Sequence, residues 1–146
     1  MNSSSLAPAS TSSRFDTGLL FLRIASGIAF LYHGSAILFG AFGGPGPERF
    51  AAFLHAPTIV GYLVGLAQFL GALAILFGAL LRVGAVCIII VMLGAIFLVH
   101  LPHGFDVSKG GVEYALTQLL IALALLLTGP GRYSLSNVLP DGLRKL

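Results

Sequence analysis

His33, His100 and Glu113, with Arg23 and Gln68 as weaker candidates, are polar side chains set inside or at the ends of long apolar runs. Hydrocarbon tolerates such groups only when they pair, line a cavity or do chemistry. Imidazole titrates near neutral pH and a desolvated carboxyl can be raised toward it. A pocket of His33, His100 and Glu113 therefore suits a quinone head group that gains or loses protons. Two histidines on different helices could instead ligate a haem iron, with the carboxylate as a third ligand or as the group that orients one ring. No metal-specific spacing favours that alternative: His100 and His103 are close in sequence, but Pro102 stands between them and puts His103 in a loop. Cys87 is the single cysteine, so the chain offers neither a disulfide framework nor a dithiol relay.

The elements that must hold these side chains are membrane helices. Of 146 residues, 57% are hydrophobic and only 9% charged, with a mean hydropathy of +0.98, whereas soluble domains carry ~25% charged residues. Apart from the adjacent Arg144 and Lys145, the eight Lys and Arg are scattered, so a pI of about 9.4 marks no nucleic-acid patch. Apolar runs over residues 17–40, 58–81, 83–101 and 112–129 reach or approach the ~20 residues that cross a bilayer core. The expected fold class is therefore all-α, an integral membrane bundle of four transmembrane helices. Gly43, Gly44, Pro45, Gly46 and Pro47 break the chain after the first run, and Phe50, Phe53 and Leu54 then recur at helical spacing, which predicts a short interfacial helix over residues 48–55. Arg82 sits in a very short turn, making spans two and three an antiparallel hairpin. Residues 1–16 read as a disordered polar tail, 17–131 as one membrane domain and 132–146 as a short polar tail.

Charge sets an expected orientation. Arg14, Arg82, Arg132, Arg144 and Lys145 fall on one face, against Arg49 and Lys109 beside Glu48 and Asp106 on the other. The positive-inside rule then places both termini in the cytoplasm.

At ~100° per residue, Arg23, Ser26, Gly27, Phe30, His33 and Gly34 share one side of span one, and Gly61, Gly65, Gln68 and Ala72 one side of span two. Gly61 and Gly65 form a small-xxx-small pattern that admits a close neighbour. On span four, Glu113, Thr117, Leu120, Ala124 and Thr128 align, which predicts an inward polar face. By depth, His33, His100 and Glu113 lie toward one end of the bundle, Gln68 near the middle and Arg23 in the opposite half, so all five do not make one site. Blander roles compete with these. His33 and Gln68 could be interhelical hydrogen bonders, Glu113 a helix-capping carboxylate and Arg23 a snorkelling or ion-paired residue, while His55 and His103 read as solvated loop residues and Cys87 as inert packing.

The order of motifs carries a resemblance. Leu22-Arg23, Leu31-Tyr32-His33-Gly34, Leu76-Phe77-Gly78 with Arg82, Met92-Leu93-Gly94-Ala95-Ile96 with His100, Gly111-Val112-Glu113-Tyr114 and the closing Gly129-Pro130-Gly131-Arg132-Tyr133-Ser134-Leu135 string resemble the DoxX family of small four-helix bacterial membrane proteins, over nearly everything from residue 19 to 135. The resemblance implies a multi-pass protein of the bacterial cytoplasmic membrane with a loose tie to redox metabolism: relatives are named after a terminal quinol oxidase subunit and a thiosulfate:quinone oxidoreductase, and others accompany oxidative-stress proteins. Gln68 departs from the acidic residue that many relatives carry on the second span, and a neutral amide cannot accept a proton. The expected function is a quinone-linked redox or respiratory membrane subunit. The alternative is a non-catalytic accessory subunit packed against a larger membrane complex, and a small-molecule carrier or cargo receptor is a third reading. Expected partners are membrane lipids and a membrane protein complex or further copies of the chain, with no nucleic acid.

Overall fold

Backbone amides in hydrocarbon have no water to bond, so an apolar segment satisfies them most simply within one helix. The computed structural model describes residues 9–144 and 146, with side chains from 13 to 143 and at 146. Five principal helices follow in order: α1 (Ala9–Phe39), α2 (Gly46–Phe53), α3 (Thr58–Phe77), α4 (Leu81–Ala95) and α5 (Glu113–Thr128). A π-helical turn over Ile96–His100 and a 3-10 turn over Leu101–His103 prolong α4. Among the described residues, three helical stretches, Ser13–Phe39, Thr58–Phe77 and Leu81–His103, are long and apolar enough to cross a membrane, and α5 is a shorter apolar helix. No strand occurs among the described residues, and the architecture is an all-α membrane bundle.

α1 packs chiefly on α3, α3 on α4 and α4 on α5, while a thinner α1–α5 seam completes the bundle and α2 lies against α3 and α1. Small residues set the close approaches. A Cβ on Gly34 would lie 2.5 Å from the Phe69 nitrogen, and one on Gly84 would lie 2.9 Å from the Gly71 oxygen. These contacts draw α1 onto α3 and the α3–α4 hairpin together as small-residue helix interfaces do. The core comprises Leu19, Phe30, Ile75, Ile88, Leu119, Leu125 and their neighbours.

The structure departs from the sequence expectations in two places. The first helix begins at Ala9, so residues 9–16 extend it instead of forming a polar tail, while the rest of that tail, residues 1–8, lies outside the described residues. On α5 the buried face is Ala115, Gln118, Leu119, Ala122 and Leu125. The expected face looks outward, with Thr117, Leu120 and Thr128 exposed, because each threonine hydroxyl donates to its own helix, at Glu113 O (2.8 Å) and Ala124 O (2.7 Å). A hydroxyl satisfied this way needs no partner helix. In the short carboxyl-terminal tail, Leu146 O accepts from the Arg82 and Val83 amides at the start of α4, at 2.6 and 3.2 Å.

Candidate functional site

The polar residues picked from the sequence separate into two groups. Arg23 is 1% exposed and sits at the end of the bundle that carries the α3–α4 turn. Its Nε donates to Ile75 O (2.8 Å), Nη2 to Leu76 O (2.7 Å), and Nη1 to Pro130 O (2.9 Å) and Tyr133 O. The acceptors are the orphan carbonyls that close α3 and the loop that leaves α5, so the guanidinium caps two chain ends at once. The C-terminal dipole of α3 favours a cation there. Gly78 completes the knot. It ends α3 at φ +66°, and a Cβ there would lie 2.7 Å from Arg23 Nη2. Arg23 neither snorkels nor pairs with a carboxylate, and it takes no part in a ligand cavity.

Toward the other end, beyond the Gly71–Gly84 crossing, a cavity of about 550 Å³ opens between α3, α4 and α1, roofed by Phe50, Phe53 and Leu54 of α2. Pocket volumes of roughly 300–1,000 Å³ suit small organic ligands. Its walls are mostly aliphatic, and His33, Gln68, His100 and Tyr114 supply side-chain polarity. Gln68 is 5% exposed and has no hydrogen-bond partner among the described residues, while the Tyr114 hydroxyl is buried and unpartnered. The His33 and Tyr114 rings are neighbours, tilted by 56° with centroids 5.9 Å apart. Buried polar groups nearly always find partners; Ser26 Oγ and Gln118 Oε1 are buried without one too, away from the cavity lining, whereas Gln68 and Tyr114 border it.

Local structure aims His100. The π-helical turn at the end of α4 widens the backbone, a device frequent at functional sites. The ring is then fixed by Nδ1 at 2.7 Å from Gly110 O. A carbonyl only accepts, so Nδ1 carries the proton and the Nε2 lone pair is free in the neutral ring. Glu113 is not among the cavity's lining residues: its Oε2 accepts the Val107 amide at 3.1 Å, bracing the loop against the first turn of α5. His103 Nδ1 turns back to Val99 O (2.9 Å). No cluster of three His, Cys, Asp or Glu suited to a metal ion occurs among the described residues.

Three of the sequence candidates, His33, Gln68 and His100, thus meet at one cavity, and Arg23 and Glu113 do not. Tyr114 and the α2 aromatics escaped sequence reasoning. The only signal for Tyr114 was its place beside Glu113, and ~100° of helical rotation turns one inward and the other toward the loop.

The family profile for DoxX matches residues 18–101. A Bacillus subtilis (strain 168) protein named "Putative oxidoreductase CatD" is 30% identical over 115 residues, covering 79% of this chain and 81% of its own. The "Uncharacterized membrane protein Rv3486" of Mycobacterium tuberculosis is 38% identical over 103 residues, 63% of each chain. No solved structure matches the chain.

Proposed function

The chain belongs to the DoxX family, and from that premise we propose that it is the quinone-binding subunit of a membrane redox system, with His33, His100, Gln68 and Tyr114 as its head-group site. The observation that carries this reading is that Gln68 and Tyr114, whose side chains find no hydrogen-bond partner among the described residues, both border one mostly apolar chamber together with His33 and His100. A quinone ring is flat, apolar on its faces and bears two oxygens that accept hydrogen bonds. Gln68 and Tyr114 can each donate to such an oxygen, and His100 Nε2 can take the hydroxyl proton of the reduced ring. Reduction of a quinone consumes two electrons and two protons. The site's residues handle protons only, because the lone Cys87 cannot form an intramolecular dithiol couple. Electrons would pass to or from a redox centre on a partner subunit, in keeping with the oxidoreductase in the name of the Bacillus subtilis relative.

The same reading puts the Arg23 end and both termini on the cytoplasmic side of the bacterial inner membrane, as the distribution of Arg and Lys favours. The test is solvent extraction and mass analysis of protein purified from membranes, paired with titration of a benzoquinone. Stoichiometric quinone in the wild type, lost in a His33→Ala, His100→Ala double variant that still inserts, is the expected result. A quinone-free protein that always co-purifies with a larger complex would favour the accessory role instead.

A further inference from the structure

The long side of the cavity bears on how it is filled. Val60, Val64 and Gln68 line it from α3 at four-residue intervals, and Gly94 and Ile90 of α4, preceded by Leu98 of the π-helical turn, line it in the reverse order, as the antiparallel hairpin requires. Residues four apart stack along one helix face, so the two rows border a slit running outward from Gln68. The α4 border faces lipid: Ile90 is 64% and Leu98 73% exposed. Between them a Cβ at Gly94 would meet no atom within 4 Å. Elsewhere in this hairpin glycines lie against a neighbour, as at Gly71 and Gly84. A Cβ at Gly94 would stand in open space, so the missing side chain leaves the slit open.

Resting on the quinone reading of the cavity, we propose that the occupant arrives sideways from the bilayer through the α3–α4 slit, with Gly94 as its threshold, and that it is a ring bearing an apolar chain. The ring oxygens reach Gln68 and Tyr114 at the closed end, and the chain lies between the two aliphatic rows. A chainless ring leaves that apolar surface uncovered and binds more weakly, since each buried methylene adds favourably to binding.

The experiment compares two benzoquinones with the same ring, one bearing a decyl chain and one bearing none, titrated against protein in lipid nanodiscs and corrected for partition into protein-free discs. The wild type should bind the decyl compound at least tenfold more tightly than the chainless ring. Gly94→Leu, which fills the threshold without striking packed atoms, should keep its melting temperature and lose tenfold or more in affinity for the decyl compound. Gly18→Leu adds the same side chain at a helical glycine that also meets no atom within 4 Å but lies outside the cavity lining, and should bind as the wild type does. Undiminished binding by Gly94→Leu, or equal affinity for the two compounds, would overturn the lateral slit while leaving the quinone site standing. Failure of the wild type to bind either compound would remove the quinone reading and the slit together.

Discussion

Arg23 and the polar residues of the cavity are treated in opposite ways by the fold. At the Arg23 end a full positive charge is enclosed, yet its donors meet carbonyls of Ile75, Leu76, Pro130 and Tyr133. At the other end the groups are milder, an amide, a phenol and two imidazoles, but Gln68 and Tyr114 have no partner among the described residues. Charge alone is therefore a poor guide to function inside a membrane protein. A missing hydrogen bond does not mark a site by itself either, since Ser26 Oγ and Gln118 Oε1 are also buried without a partner and neither residue lines the cavity; Gln68 and Tyr114 are set apart by bordering it.

That contrast predicts opposite signs for two removals of polarity. Arg23→Leu strands buried carbonyls at roughly 1–3 kcal/mol each, so the variant should lose upward of about 3 kcal/mol of stability, read as a collapse of folded yield and melting temperature. Survival with an unchanged melting temperature would break the comparison at its structural end. Next in size, Gly84→Leu forces a side chain against Gly71 and Ala74 and should cost about 1–3 kcal/mol by overpacking, visible in a thermal melt. Gln68→Leu should leave the melting temperature unchanged or slightly raised, because an unpartnered amide is replaced by an apolar group of similar size. It should at the same time weaken quinone binding about tenfold, ~1.4 kcal/mol. A marked fall in stability would show that Gln68 belongs with Arg23. The smallest effect is expected of Glu113→Gln, whose amide oxygen can still accept the Val107 amide. Loss of the carboxylate's favourable place at the start of α5 is worth roughly 0.3–1 kcal/mol, and ligand affinity should stay within twofold in the same titration. A tenfold loss there would restore Glu113 to the site.

The faces of α1 and α3 were legible in the sequence because Gly27, Gly34, Gly61 and Gly65 alternate with polar side chains at helical spacing, and small residues have little use on a lipid-facing surface. The same logic failed on α5. Thr117 and Thr128 look like inward polar residues, but a threonine can satisfy its hydroxyl on the preceding turn of its own helix, and the buried stripe runs through Ala115, Ala122 and Leu125 instead. His100 could not be aimed from its neighbours either, since regular α-helical spacing does not extend through the π-helical turn that carries it.

The sequence by itself determined that apolar segments cross a bilayer as helices, because a helix closes its backbone hydrogen bonds within a few residues and its hydrophobicity is a property of composition. Only the tertiary structure decided which polar groups are spent and which are free. Arg23 meets Ile75 and Pro130, 52 and 107 residues away, and Gln68 shares a chamber with Tyr114 from another helix. Partnership of that kind depends on where distant segments come to rest, which no local pattern of residues encodes.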